Sequence, residues 1–493
     1  MPYYVNMKEY EENKQLIGRV YEQQLVKDYF DSPKSEHVAV YGRRSVGKTY
    51  LIKRCFDEKF DFWFTGMYET SKSVHLRQFA RELSKYSSKK CEVPKDWFEA
   101  FEMLNNYLLS LGKEKVVVFL DELPWMDNKK SNFLQAFSYF WNMWSSEKTV
   151  LKLYVCGSAT TWMLDKFVGD KGGLYGRTSR TIYLSPFTLG ETELFLEKMK
   201  GFELTRKQIL ELYMIFGGVP YYLDMLSKDL PVSKNIDNLF FSEGAPLRTE
   251  YDFLFRSLFN ESGSYKKVIE ALSSKMKGLS KSEIVEATKI KQGGTLTEIL
   301  NNLCSCDFIR KYTAIGKPEK DCIYQLTDLF SLFHLRFVAK NSGQDASFWS
   351  NMDSSPAKNT WSGYAFEQVC LHHIKQIKSK LSILGVLSNT YSWFSKPFVD
   401  KDGSEWNGGQ IDMLIDRKDD VINICEMKFV SSEFEITEKY DEHLRERDAL
   451  FKKVTKTRKA LHHTFVTTYG VKKNKYSGIV QNEVTMDDLF ENA

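Results

Sequence analysis

The chain lacks long apolar runs and lacks an excess of charge of one sign. No segment approaches the roughly 20 apolar residues that a membrane-spanning helix needs, and the first residues contain no apolar signal core. Its 69 Lys and Arg and 65 Asp and Glu residues leave a formal net charge of +4. That charge is too small to indicate nucleic-acid binding by itself. We therefore expect a cytoplasmic protein with no membrane partner.

The chain also lacks a cysteine framework. Its eight cysteines are scattered, and only Cys304 and Cys306 lie close together, without a Cys-x-x-Cys pair or matching histidines. This spacing favours reduced thiols over disulfides or a zinc site. At 493 residues, by contrast, the chain is too long for one hydrophobic core. We expect about three or four domains from this length.

A glycine-rich segment near the N-terminus fits the pattern G-x-x-x-x-G-K-[ST] at every position. A strand-like run, residues 37–41, precedes it and a helical pattern follows from Tyr50. Such a loop binds a nucleoside triphosphate such as ATP: its backbone N–H groups surround the phosphates, Lys48 contacts the β and γ oxygens, and Thr49 ligates Mg²⁺. The predicted binding residues are Gly42, Arg43, Arg44, Ser45, Val46, Gly47, Lys48 and Thr49.

Two further strand-like runs end in residues that suit nucleotide hydrolysis. The run from Lys115 ends in Asp121 and Glu122 and is apolar enough for a strand buried on both faces. Asp121 would hold the Mg²⁺ shell, and Glu122 would orient or deprotonate the attacking water. The run from Leu151 ends near Ser158, which could sense the γ-phosphate, although a turn or a helix cap is an open alternative.

An arginine stands between the third run and the next strand-like segment. Arg177 follows a glycine-rich stretch and precedes residues 181–184. Its guanidinium could neutralise the charge that builds on the γ-phosphate, within the chain or across a subunit boundary of a homo-oligomer. A surface arginine without such a role is the alternative.

These segments together resemble the AAA+-type archaeal ATPases, which are related to the STAND signalling ATPases. The resemblance rests on GRRSVGKT, VVVFLDELPW, LYVCGSAT, GGLYGR and LSPFTLGE, on an earlier Gly-Arg-x-x-Glu at residues 18–22, and on Gly-Gly-Val-Pro at 217–220. It covers roughly the first half of the chain. It implies an α/β fold, a P-loop doubly wound parallel sheet with a helical lid, whose conformation responds to ATP and Mg²⁺.

The segment from Ser264 to about Lys340 has a different pattern. Three helical stretches are followed by two strand-like stretches, residues 308–312 and 322–326, around a turn rich in Gly, Pro and Lys. This order resembles a winged helix, whose third helix can contact duplex DNA. Here the third helix, which begins at Gly294, carries no basic residue. A protein-contact role is therefore equally open.

The C-terminal part contains a second set of chemically active residues. Asp412 is followed on the next strand by Glu426-Met427-Lys428, and Glu367 lies on an earlier helical stretch. This set resembles the PD-(D/E)xK nucleases, with their restriction-endonuclease-like fold, although Ile411 replaces the nominal proline. The resemblance implies that Asp412, Glu426 and Glu367 hold a metal ion such as Mg²⁺, while Lys428 positions water at a DNA phosphate.

The length of the turn between these two strands decides whether the carboxylates meet. A four-residue turn, 417–420, would place Asp412 opposite Cys425 and away from Glu426. A five-residue turn, 417–421, would place Asp412 directly opposite Glu426. The nuclease hypothesis requires the second arrangement or a bulge.

A run of basic residues follows the second strand. It could track a DNA backbone, but a solvated helix face is the commoner explanation. Its members are Arg445, Arg447, Lys452, Lys453, Lys456, Arg458, Lys459, Lys472, Lys473 and Lys475, against the acidic Glu446 and Asp448.

We therefore predict four domains: an ATPase core (1–185), a helical lid (186–258), a winged helix (259–345) and a nuclease-like domain (346–493). The first functional hypothesis is an ATP-binding and hydrolysing ATPase coupled to a DNA-binding, metal-dependent, nuclease-like domain. The alternative is a STAND-like ATP-gated switch, in which the last domain is a noncatalytic scaffold or DNA-binding module.

Overall fold

A computed structural model describes residues 16–128, 130–144, 149–158, 160–168, 178–259, 261–313, 315, 322–341, 345–353 and 355–492. The chain divides into two units. The first runs to Pro186 and takes in Val219–Tyr221 and a short segment that begins at Arg256. The second comprises Phe187–Gly218, Tyr222–Phe255 and the chain from Glu261 onward. Among the described residues, no helix has both the length and the apolarity to cross a membrane.

The first unit is built on five parallel strands in the spatial order β2-β3-β4-β1-β5. The strands are β1 (Glu36–Tyr41), β2 (Phe62–Thr65), β3 (Lys115–Asp121), β4 (Val150–Cys156) and β5 (Arg180–Tyr183). The helices are α1 (Val20–Asp31), α2 (Lys48–Cys55), α3 (Lys72–Ser87), α4 (Trp97–Ser110), α5 (Phe133–Met143) and α6 (Thr160–Met163).

Both faces of this sheet are covered by helices. Val118 and its alternate neighbours on β3 pack in the core formed with α3, α4 and α5. Phe119 packs on the other face with Val26 of α1 and Ile52 of α2. Because successive side chains of a strand point to opposite faces, burial on both faces produces the continuous apolar runs of the sequence. The prediction of a doubly wound parallel α/β sheet is confirmed.

The second unit contains the remaining strands and most of the remaining helices. The strands are β6 (Leu279–Ser280), β7 (Ile309–Tyr312), β8 (Ile323–Leu326), β9 (Ser388–Ser395), β10 (Phe398–Val399), β11 (Glu405–Trp406), β12 (Gly409–Arg417), β13 (Val421–Lys428), β14 (Ala460–Thr467) and β15 (Val480–Thr485). The helices are α7 (Leu189–Leu194), α8 (Arg206–Phe216), α9 (Pro220–Asp224), α10 (Val232–Ile236), α11 (Glu250–Leu258), α12 (Ser262–Ser273), α13 (Lys281–Thr288), α14 (Gly294–Ser305), α15 (Leu329–Phe333), α16 (Pro356–His372), α17 (Ile374–Lys380) and α18 (Glu438–Thr455). Residues of α9 and α11 fall in both units.

A small antiparallel sheet has the order β6-β8-β7. Along the chain, β6 lies between α12 and α13, and β7 and β8 follow α14. Helix α13 begins with a capping box: Ser280 accepts from the backbone of Glu283, whose carboxylate accepts from the N–H of Ser280. The predicted order of three helices and a two-stranded hairpin is present. Its assignment as a winged helix stays a prediction.

The C-terminal sheet has the order β15-β14-β13-β12-β9, with antiparallel pairing from β13 to β9 and parallel pairing from β13 to β15. Met413 pairs with Cys425 and Asp416 with Ile422, so the turn spans the five residues 417–421. One further step in this register places Asp412 opposite Glu426. The pairing of β12 with β9 also shifts between Ile411 and Leu414, as at a β-bulge. The five-residue alternative is therefore the observed one.

Candidate functional site

The glycine-rich loop leads directly from β1 into α2. Gly42 has a φ of +146° and Gly47 a φ of +93°. A side chain at Gly42 would also collide with the carbonyl oxygen of Leu184. Because only glycine tolerates such backbone angles without strain, these two positions require it. The loop ends at Lys48, the first residue of α2, so its N–H groups lie beside a helix N-terminus.

The predicted loop residues differ in what their side chains do. Lys48 is buried, and its ammonium group donates to the carbonyl oxygens of Gly42 at 2.9 Å and Arg43 at 2.8 Å. Val46 packs in a small core, so only its backbone can face a phosphate. The guanidinium of Arg19, from the Gly-Arg-x-x-Glu segment, donates to the Val46 carbonyl at 3.4 Å. The loop is thus braced by an arginine 27 residues earlier.

Asp121 lies at the end of β3 and meets the loop through Thr49. The hydroxyl of Thr49 donates to Oδ2 of Asp121 at 2.9 Å, while the thiol of Cys156 donates to Oδ1 at 2.5 Å. Burial raises the pKa of Asp121, and these hydrogen bonds oppose that rise. A hydroxyl and a carboxylate side by side are oxygen ligands of the kind that Mg²⁺ takes. Thr49 and Asp121 therefore fit the predicted Mg²⁺ site.

Glu122 and Ser158 are brought into direct contact. The Ser158 hydroxyl donates to Oε2 of Glu122 at 2.8 Å, and its backbone N–H donates to the same oxygen at 3.1 Å. Glu122 itself has a φ of +50°, which is uncommon for a residue other than glycine. The sequence predicted both residues but not their contact. Arg177, which the sequence also predicts to act near the γ-phosphate, lies outside the described residues.

Glu426 lies at the centre of the candidate site in the C-terminal sheet. Its Oε1 forms an ion pair with the guanidinium of Arg447, and its Oε2 accepts from the Tyr440 hydroxyl at 2.7 Å. The Lys428 ammonium lies 3.6 Å from Oε2. Burial raises the pKa of Glu426, but the charges of Arg447 and Lys428 and the Tyr440 bond outweigh it and hold that pKa below its usual value. Glu426 is therefore ionised at neutral pH.

The other two predicted carboxylates lie nearby. Oδ1 of Asp412 accepts from the side-chain amide of Gln410. Burial raises the pKa of Glu367 on α16, the charge of Asp412 raises it further, and Lys428 and Arg310 oppose the rise. The net rise favours the protonated form of Glu367. Arg310 comes from β7, so a strand of the small sheet acts electrostatically on this site.

This arrangement does not fit a divalent cation as it stands. Both oxygens of Glu426 already have partners on α18. In the part of the chain that the structure describes, no group of three or more His, Cys, Asp or Glu side chains is spaced to hold a metal ion. The metal role of Glu367, Asp412 and Glu426 therefore stays a prediction. Sequence reasoning missed Arg447 and Tyr440 as partners, because Arg447 was counted with the basic run.

The basic run divides into two kinds of residue. Half of its members form ion pairs within the second unit. These pairs are Arg445 with Asp441, Arg447 with Glu426, Lys453 with Asp400, Lys459 with Asp416 and Lys472 with Glu435. A phosphate would have to compete with a carboxylate at each of them. Any nucleic-acid contact by this run therefore depends on the other five residues.

Comparison with known proteins bears on the part of the chain that contains the first of these sites. Residues 16–226 match a family model described as an ATPase domain predominantly from Archaea. This part of the chain is similar to the P-loop ATPase domains of that family. The match contains the loop at 42–49, Asp121, Glu122 and Ser158, and it ends within the predicted lid. The match supports nucleotide binding by this part of the chain, and the roles of the individual residues stay a prediction.

Relatives of known sequence or structure are distant. An uncharacterized protein of Methanocaldococcus jannaschii is 27% identical over 356 residues, which is 72% of this chain and 76% of the relative. A Walker-type ATPase of Pyrococcus abyssi has a TM-score of 0.46 at 15% identity and covers 66% of this chain and 97% of its own. The ORC2 protein of Aeropyrum pernix, in complexes with ADPNP and ADP, has a TM-score of 0.42 at 15% identity, covering 69% and 96%.

Proposed function

We propose that the chain couples ATP binding and hydrolysis in its ATPase domain to a DNA-binding, nuclease-like C-terminal domain. The observation that carries the proposal is the register of β12 and β13, in which Met413 pairs with Cys425; continued by one residue, this register would set Asp412 opposite Glu426. Residues opposite each other in an antiparallel pair lie on the same face. Lys428 lies two residues after Glu426 on that face. The proposed chain would therefore combine two sites of different chemistry.

In the ATPase domain, each predicted residue has a separate proposed role. Lys48 would leave the loop carbonyls to contact the β- and γ-phosphates. Thr49 and Asp121 would hold Mg²⁺, which neutralises charge on the phosphates when it is bound. Glu122 would accept a proton from the attacking water, and Ser158 would report the presence of the γ-phosphate. Arg177 would stabilise the developing charge, in the same chain or in a neighbouring one.

In the C-terminal domain, the proposal assigns DNA binding to a restriction-endonuclease-like fold. Helices α16 and α18 pack against β13 and β12 of the mixed sheet. Lys428 would screen the charge of a phosphate or position water beside it. The small sheet and helices α12–α14 would form the winged helix, with DNA or another protein as its partner. The domain boundaries given above remain part of this proposal.

Contacts inside the second unit support coupling between the predicted lid and the C-terminal domain. Arg206 of α8 lies 3.0 Å from Glu193 and 3.3 Å from Asp487, which belongs to the C-terminal turn Asp487–Phe490. The backbone N–H of Leu189 donates to Nε2 of His373 at 2.9 Å. The segment from Phe187 to Gly218 is therefore attached to the C-terminal domain at two points.

The test uses labelled DNA with Mg²⁺ or Mn²⁺, in the presence and absence of ATP. We expect cleavage that is lost in Asp412→Asn and retained in Asp416→Asn. Asp416 is a matched control because it lies on the same strand and pairs with Lys459 at 2.6 Å. Cleavage that survives Asp412→Asn would exclude this site as its source. A chain that neither binds nor cleaves DNA under any of these conditions would refute the proposal.

A second candidate function is an ATP-gated switch with a noncleaving C-terminal domain. The observation that favours it is the ion pair between Arg447 and Glu426, which occupies a residue that cleavage would need. Its test is the mass of the protein in solution with ATP, with ADP and without nucleotide. An ATP-dependent change of mass, with no DNA cleavage under any metal, would favour the switch. A monomer in every state would exclude Arg177 acting across a subunit boundary.

A further inference from the structure

We infer that Arg447 determines whether Glu426 can accept a divalent cation. The inference rests on the proposed nuclease-like function and concerns how that site is regulated. Arg447 lies on α18, and both its side chain and that of Glu426 are only 7% exposed. An ion pair this shielded from water is screened much less than one at the surface. Arg447 is thus a positioning residue, since it acts through Glu426.

The ion pair blocks the coordination geometry that a cation requires. A cation bound by a carboxylate sits about 2.0–2.6 Å from its oxygens. Oε1 of Glu426 faces the guanidinium, while Oε2 accepts from Tyr440 and lies 3.6 Å from the Lys428 ammonium. A divalent cation at either oxygen would stand beside a positive charge. Repulsion at such distances in a poorly solvated site is strong.

The charge balance of the whole site points in the same direction. Three cations, on three different elements, act on the carboxylates: Arg310, Lys428 and Arg447. With these three positive groups beside them, the carboxylates attract a further cation only weakly. Removing the charge of Arg447 leaves two fixed cations, Arg310 and Lys428, beside the carboxylates instead of three.

Helix α18 is anchored on both sides of Arg447, so the side chain rather than the helix is the movable part. The Tyr440 hydroxyl holds one end at Glu426. Oδ2 of Asp448 accepts a hydrogen bond from Nε2 of His463 at 2.8 Å, and Lys453 pairs with Asp400. Displacement of the Arg447 guanidinium alone would therefore free Oε1 of Glu426 for a cation.

The experiment measures Mn²⁺ binding by calorimetry in the full chain. Asp121→Asn is the common background and nucleotide is absent, so that the ATPase site does not contribute. Arg447→Leu is compared with Arg445→Leu, a matched control on the same helix whose arginine is exposed and pairs with Asp441. We expect Arg447→Leu to bind Mn²⁺ at least about tenfold more tightly, because one unit charge at short range is worth this much or more. Adding Glu426→Gln should abolish the gain.

Equal or weaker Mn²⁺ binding in Arg447→Leu than in Arg445→Leu would overturn the inference. If Arg447→Leu does not fold, as circular dichroism would show, Arg447→Gln decides, since it removes the charge but keeps a side-chain N–H donor beside Oε1 of Glu426. Tighter Mn²⁺ binding by Arg447→Gln supports the inference, and unchanged binding overturns it. DNA cleavage separates the two proposals. A gain of Mn²⁺ binding without cleavage supports the Arg447 inference and refutes the nuclease function. Cleavage without any gain of Mn²⁺ binding supports the nuclease function and overturns the Arg447 inference.

Discussion

The hydroxyl of Ser158 donates a hydrogen bond to Oε2 of Glu122 at 2.8 Å. A serine hydroxyl carries one proton, so it cannot donate to Glu122 and to a γ-phosphate at the same time. If Ser158 turns to the γ-phosphate of bound ATP, Glu122 loses this bond and becomes available to the attacking water. In the proposed ATPase mechanism, this contact would link the sensing of ATP by Ser158 to the activation of Glu122.

The first prediction concerns this hydroxyl. Ser158→Ala should lower kcat for ATP hydrolysis by about tenfold or more, because one charge-stabilising donor is lost from the transition state. Ser158→Thr keeps the hydroxyl and should retain most of the activity. Steady-state ATPase assays on the two variants provide the measurement. Equal loss of activity in both would show that the hydroxyl is not the group that matters.

The second prediction concerns two helical glycines with different surroundings. A Cβ at Gly190 would collide with the carbonyl oxygen of Phe490, whereas a Cβ at Gly363 would meet nothing within 4 Å. Gly190→Ala should therefore lower the free energy of unfolding. Gly363→Ala should raise it by about 1 kcal/mol, the usual gain of alanine over glycine in a helix. Urea unfolding followed by circular dichroism measures the free energy of unfolding of both variants. Equal destabilisation by Gly190→Ala and Gly363→Ala would contradict the close contact of the C-terminal turn with α7.

The third prediction concerns pH. Burial lowers the pKa of His373 from 6.5 to about 4, while its ring bonds the Val369 carbonyl and the Leu189 N–H. The unfolded chain therefore binds a proton between these two values that the folded chain does not. Stability contributed by neutral His373 should be intact above about pH 6.5 and fall by roughly 3 kcal/mol on acidification to about pH 4.

His373→Gln can make the same two hydrogen bonds without titrating. Between pH 7 and pH 5 its unfolding midpoint should move less than that of the parent chain. His443→Gln, on the exposed side of α18, is the control and should behave like the parent. The same pH dependence in His373→Gln as in the parent would rule out His373 as its source.

The fourth prediction concerns the basic run. Lys452→Ala with Lys456→Ala should weaken DNA binding and reduce its salt dependence, because each phosphate contact releases counterions. Lys453→Ala should have little effect, since Lys453 is paired with Asp400. Fluorescence anisotropy at several salt concentrations compares them. An equal loss of DNA affinity in all three substitutions, or no loss in any, would show that ion pairing does not determine which residues of the basic run bind DNA.

The sequence predicted the parallel sheet and the loop between β1 and α2 better than the contacts of the C-terminal site, for a physical reason. The loop at 42–49 needs particular residues in consecutive positions, and β3 and β4 lie buried on both faces, so short local patterns reveal them. Whether Asp412 lies opposite Glu426 depends on a turn of four or of five residues, and residue propensities do not determine that length. Arg447 and Cys156 were not recognised as partners of Glu426 and Asp121, because these contacts join distant segments. A local pattern does not show which surface-like arginine becomes buried.

The most direct measurement tests whether the ATP site controls DNA binding. Duplex DNA affinity is measured by fluorescence anisotropy in Glu122→Gln, which should bind ATP without hydrolysing it, with and without ATP. We expect ATP to change the affinity by about tenfold, a coupling free energy within the usual range. Adding Lys48→Ala should remove that change. Two results would contradict the proposed coupling. One is an unchanged DNA affinity on addition of ATP, in a Glu122→Gln variant that is shown to bind ATP, and the other is no DNA binding in either state.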